Sequence, residues 1–254
     1  MLVACGSDST DSGTTQSTDP GTAPSATTAD TTSSDPTASS DAPASTTPPS
    51  SSIDEEADQA AAQAALLQLS DFEPGWSEVA SSDDAGQGVV KRKVAECAGS
   101  DRDSGLAFGG ALAETGTITS PGGDEVIQET VSFAPTVSAA TERMAILAAP
   151  EFVGCIQPIY EQWINEVLDG TGATLDRVTI GKLNMTPAGD SMVAYRITIT
   201  AAKGGLTQDL FVDIAVIQSG RVLASTTFQS KNSPFSTDVA GKYVALAASR
   251  LPAT

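Results

Sequence analysis

Any catalysis by this chain would have to rest on carboxylates, because its 254 residues include no histidine. Without an imidazole there is no general base for a serine or cysteine nucleophile and no nitrogen ligand for a zinc or facial-triad iron site. Thirty-two acidic side chains against 13 basic ones give a net charge of −19. That balance argues against nucleic acid as a partner, since phosphate binding needs clustered Lys and Arg. On a strand, Asp209 and Asp213 would share one face about 13 Å apart, beyond the roughly 6.5–9.5 Å of an inverting glycosidase pair. Arg196 and Arg221 on the neighbouring strands offer these acids cross-strand ion pairs instead. Asp101-Arg102-Asp103-Ser104-Gly105 begins like a calcium loop but fails further on, with Leu106 where the turn glycine belongs and Leu112 where a bidentate Glu is needed. G-x-S-x-G, S-x-x-K and G-x-x-x-x-G-K are all missing. No catalytic residue, metal or cofactor is assigned, and a hydrolase working through acids alone stays only as a last alternative.

The three cysteines carry the remaining chemistry. Leu2-Val3-Ala4-Cys5-Gly6 looks like the lipobox of a bacterial lipoprotein, in which the signal is cut before a cysteine that then carries diacylglycerol. Cys5 is therefore the expected lipidation site, and residues 1–5 read as the remnant of a lipoprotein signal. The other reading of Cys5 is an ordinary cysteine in a tail. A signal also needs a basic start and an apolar core of about 7–15 residues, and four residues precede Cys5, so the expected start lies upstream of Met1. Residues 6–52 are dominated by Ser, Thr, Asp, Pro, Ala and Gly, with no aromatic residue and no Lys or Arg, so a disordered linker is expected. As a flexible coil its r.m.s. reach is about 40 Å. With Cys5 lipidated, Cys97 and Cys155 remain as one pair, which an oxidising compartment would bond. Such a bridge closes a loop of nearly sixty residues and stabilises by about 4 kcal/mol in the chain-entropy model. Two separately buried thiols are the competing reading. Zinc and thioredoxin-like chemistry lack the C-x-x-C spacing they need.

The elements that must position these residues belong to residues 53–254, enough for one α+β domain. Ser52 and Glu55 have capping-box spacing, and the alanine-rich run to Leu69 reads as a helix with a weakly apolar face. Lys91-Arg92-Lys93 is a basic cluster expected on an exposed strand edge, and the alternative is contact with anionic headgroups or wall polymers. Segments 111–119 and 125–133 read as a hairpin around Ser120-Pro121-Gly122-Gly123-Asp124. A helix is predicted from near Thr136 to Ala149, and a second opens at Pro150 with a kink or early stop at Pro158. A strand follows from Leu175 to Leu183. The period-2 alternation from Ser191 to Gln229, broken at Lys203-Gly204-Gly205 and Ser219-Gly220, predicts a three-strand antiparallel meander. A last helix, capped at Ser236 or Thr237, buries Val239, Tyr243, Leu246 and Ala247. This grouping predicts an antiparallel sheet covered by helices on one face.

Leu66-Leu67-Gln68-Leu69-Ser70-Asp71-Phe72-Glu73-Pro74-Gly75-Trp76 carries an L-x-x-S-D-F-x-P-G-W pattern, with a cysteine some twenty residues on and a second on the helix pair before the meander. Over roughly Leu66 to Leu251 this resembles actinobacterial envelope lipoproteins related to the extracellular sensor domain of mycobacterial serine/threonine kinase H (PknH-like) and, less closely, LpqN-type lipoproteins. The resemblance implies an exported α+β domain with a groove suited to ligand binding and no assigned chemistry. The kinase sensor domain has two disulfides where this chain can form one, so groove details do not transfer. Trp76 and Trp163 are the candidate ligand or lid contacts. Aromatic residues at such positions ordinarily pack.

These observations together predict a monomeric, lipid-anchored protein on the outer face of the plasma membrane, with a non-catalytic sensor-like domain that binds a lipid, glycan or envelope protein. The alternative is a protein-interaction subunit supporting an envelope or transport machine. No run of about 18 apolar residues spans a bilayer within the sequence.

Overall fold

The computed structural model describes residues 54–80, 85–99 and 112–252, all within the unit Ser51–Thr254. Cys5, the expected linker, Ser52 and the Asp101–Gly105 stretch lie outside the described residues, as do the side chains of 85–89 and 91. The elements run α1 (Glu55–Ala65), a 3₁₀ turn (Leu69–Asp71), β1 (Ser77–Val79), α2 (Ala85–Cys97), β2 (Leu112–Glu114), β3 (Thr117–Thr119) and β4 (Glu125–Phe133). They continue with α3 (Val137–Ala148), α4 (Pro150–Leu168), β5 (Ala173–Lys182), β6 (Ser191–Lys203), β7 (Leu206–Ser219), β8 (Val222–Lys231) and α5 (Thr237–Arg250).

The described strands form one eight-stranded sheet ordered β1-β3-β4-β8-β7-β6-β5, with β2 paired to β4, and every pairing is antiparallel. Gly204 and Gly205, both at positive φ (60° and 82°), close the β6–β7 turn and set Lys203 opposite Leu206. The hairpin around Pro121 is present, but its first arm is split into β2 and β3 by a one-residue change of register at Thr115-Gly116. Gly116 is needed there, since a Cβ would stand 2.5 Å from the carbonyl oxygen of Val79 in the adjoining strand.

The α+β class is as expected, but the sheet is covered on both faces, not one. Strands β7 and β8 are apolar on both sides: Ala215, Ile217 and Phe228 point to one face, and Val216 and Leu223 to the other. The first face packs on α1 and α5 through Ala62, Ala65, Leu67, Ala240, Val244 and Ala247. The second packs on α2, α3 and α4 through Val90, Val94, Met144, Leu147, Phe152 and Ile156, with Ile164 and Val178 extending it. Phe228, Ile127 and Ile217, each 0% exposed, contribute about 1.5–3 kcal/mol apiece by leaving water.

Several local expectations change. Lys91, Arg92 and Lys93 lie on helix α2, not on a strand, because Val90, Val94 and Ala98 recur at helical spacing and pack beneath it. Asp54 caps α1, its Oδ1 accepting from the amide of Ala57 at 3.1 Å, and the helix stops at Ala65. Helix α4, 19 residues long, runs unbroken through Pro158; Pro158 and Gly154 are both exposed, so the carbonyl that loses its donor can take water. Thr136 caps α3 through the amide of Ala139, and Pro150 opens α4. Ser236 stands at the N-cap of α5 without a side-chain bond, and Val239 is 37% exposed instead of buried.

Candidate functional site

The second face carries a crevice between the sheet and α3. β4 supplies Thr130 and Ser132, β8 Leu223 and Ser225, β7 Val216, and α3 Arg143 and Leu147. Thr130 pairs with Ser225 and Ser132 with Leu223 across β4–β8, so two strands place three hydroxyls on one floor. Arg143, 4% exposed, enters from above; burial lowers its pKa, and its Nη1 donates to the carbonyl of Ala98. The space is about 20 Å³, the size of one water and well short of a drug-sized ligand.

The roof of this crevice is fastened by side chains reaching from the sheet. Tyr195 Oη donates to the carbonyl of Leu147, and Gln218 Nε2 donates to Thr141 Oγ1 at 3.0 Å. Cys97 and Cys155 form the expected disulfide, with Cα atoms 5.8 Å apart, tying the end of α2 to α4. Ala98, whose carbonyl holds Arg143, is the next residue after Cys97. The bridge therefore fixes the residue that aims the guanidinium.

The first face holds a second polar cluster. Glu129 occupies an inward position of β4 among Ile127, Val131 and Phe133 and is 1% exposed. Its Oε2 accepts from the amide of Leu67 at 2.6 Å, while Oε1 has no hydrogen-bond partner among the described residues. Thr226, directly opposite on β8, likewise has an unpartnered buried hydroxyl. Burial raises the Glu129 pKa from 4.5 to about 7; the Leu67 amide and Arg250 oppose the rise and Asp71 adds to it. Arg250 holds Asp71 through two bonds of 2.6 and 2.7 Å and also reaches the carbonyl of Leu66 at 2.8 Å.

The sequence-derived residues do not converge. Trp76, half-buried, stands 5.2 Å from the ring of Phe72 beside α5 on the first face, where Phe72 stacks on Tyr243 at 4.7 Å. Trp163 packs on the second face, edge-on to Tyr160 at 6.2 Å, and neither tryptophan lines the crevice. Asp213 is 1% exposed and held bidentately by Arg196 at 2.6 and 2.7 Å, as the cross-strand reading expected. Asp209 accepts instead from Thr200 Oγ1 at 2.7 Å. Arg221 pairs not with either acid but with Asp58 of α1, because it sits in the β7–β8 turn at the far end of the strand. Sequence reading passed over Glu129 and Arg143. The available signal was a charge inside an otherwise apolar period: Glu129 between Ile127 and Val131, Arg143 within the Ala140, Met144, Leu147 stripe.

No protein-family model matches the chain, and no curated protein matches it. Among solved structures the chain is similar to the extracellular domain of PknH from Mycobacterium tuberculosis, at 14% identity and a TM-score of 0.39, covering 78% of this chain and 96% of that one. It is also similar to LpqN, involved in cell envelope biogenesis of Mycobacterium tuberculosis, at 10% identity and a TM-score of 0.25, covering 71% and 76%. These are the two likenesses that the L-x-x-S-D-F-x-P-G-W stretch and the cysteine placement imply, in the same order. Both superpositions are loose.

Proposed function

We propose that this chain is an exported, lipid-anchored, non-catalytic envelope domain that recognises a lipid, glycan or protein of its surroundings on the second face of its sheet. The observation that carries the reading is the Cys97–Cys155 bridge. A disulfide between two helices of a domain of this size belongs to an oxidising compartment, and it leaves Cys5 as the cysteine available for acylation. Arg143 and the hydroxyls of Thr130, Ser132 and Ser225 would supply the polar contacts.

The size of the crevice favours a second version of the same reading. A space of about 20 Å³ cannot enclose a glycan or an acyl chain unless α3 moves, so recognition by the outer surface, as a protein-interaction subunit, needs no rearrangement. Expressing the full-length protein with its native leader separates the outcomes. The mature product should partition into detergent with a mass increased by diacylglycerol on Cys5, and Cys5→Ala should release it. Cross-linking in intact cells should then capture either one stoichiometric protein or, with the purified domain, a lipid or glycan found by mass spectrometry. A mature product inside the cell, unacylated and with reduced Cys97 and Cys155, overturns the reading.

A further inference from the structure

Helix α1 is held to the first face by polar fastenings more than by apolar area. Its buried residues are Asp58, Ala62 and Ala65, and alanines gain little from burial. What fixes it is the Asp58–Arg221 ion pair, the Gln59 side chain bonded to both the amide and the carbonyl of Leu112, and the Leu67 amide on Glu129. The turn that follows is clasped by Arg250, through Leu66 and Asp71.

Glu129 lies beneath the middle of this strap. Neither its Oε1 nor the Thr226 hydroxyl opposite on β8 has a hydrogen-bond partner among the described residues, so a neutral carboxylic acid leaves no charge there to be solvated. A carboxylate has no donor and is sealed from water. The charged groups that act on it are Asp71 from the 3₁₀ turn and Arg250 from α5; elsewhere on the first face, Tyr243 of α5 faces Asp71, and Asp58 of α1 is paired with Arg221 of the β7–β8 turn. From β7 the first-face acid is Asp213, already neutralised by Arg196. Arg250, whose charge opposes the rise at Glu129, is itself committed to Asp71. Ionisation of Glu129 therefore leaves a buried charge that only opening of the strap can hydrate.

We propose that Glu129 is a proton-operated latch: in its neutral form it seats α1 and the Leu67–Asp71 turn on the sheet, and its ionisation loosens that strap while the second face stays closed. The sense of the pH response follows from the raised folded-state pKa. The latch is fully engaged below the ordinary value of 4.5, weakens as pH rises toward about 7, and does not change further above that. It is independent of whether Cys5 carries lipid.

The test is amide hydrogen exchange on the full chain, corrected for intrinsic rates, comparing residues 55–72 with the α4 amides 156–164. Opening of 55–72 should rise on the order of a hundredfold between pH 4.5 and 7 while the α4 amides stay level. In Glu129→Gln, which keeps the shape and restores a donor, the 55–72 response should become flat. A flat response in the unsubstituted protein overturns the proposal, and so does an equal rise in α4, which would mean global unfolding. A titration of the Glu129 carboxyl by carbon NMR reads the same point without any substitution, and a midpoint at the ordinary 4.5 overturns it too.

Discussion

On the first face of the sheet α1 and α5 are fastened by ion pairs and by a buried acid, whereas on the second α2, α3 and α4 are fastened by a disulfide, an apolar stripe and bonds to backbone carbonyls. The same strands build both floors, so the difference lies in the helices. Carboxylates titrate and disulfides do not, which makes one layer answer to pH and the other to redox conditions. A sheet shared in this way can loosen one cover without losing the other.

The hardest blow to the first face is Phe228→Ala. Phe228 is 0% exposed and lies 5.2 Å from Phe235, and its truncation should cost about 3–5 kcal/mol in urea denaturation. Replacing both Cys97 and Cys155 by Ser should cost about 4 kcal/mol for a bridge spanning 58 residues, with faster hydrogen exchange in α2 and little change in α1 or α5. Equal acceleration in all of them would merge the two covers into one cooperative unit and end the comparison. Between pH 4.5 and about 7 the free energy of opening residues 55–72, read by hydrogen exchange, should fall by about 3 kcal/mol, because the closed strap holds the Glu129 proton more tightly than the opened one; Glu129→Gln should remove that slope. Asp54→Ala should be the mildest, about 1 kcal/mol, and confined to the first turn of α1, where Ala57 loses its acceptor.

Much of the fold was legible because its signals are local. Alternation over Ser191–Gln229 gave the three-strand meander and its two turns, and Thr136 and Pro150 marked the starts of α3 and α4. The cysteine count gave the Cys97–Cys155 pair. What sequence could not supply was which layer each helix joins. Ala62 and Val94 carry similar apolar spacing, yet they end on opposite faces, since topology and not periodicity decides the side. The candidate sites were less legible for the same reason. Thr130 and Ser225 look like ordinary strand polar positions until the β4–β8 register, across nearly a hundred residues, brings them together under Arg143.

The two margins of the sheet are both interrupted. At one rim β1 has three residues, and the free side of β2 is stitched to Gln59 of α1. At the other, β5 carries a register shift between Leu175 and Arg177, with Asp176, Arg177 and Lys182 all exposed. Neither rim presents a long straight ladder on which a neighbour's strand could grow. Molecules of this kind can therefore crowd at high density on a surface without zipping into fibrils.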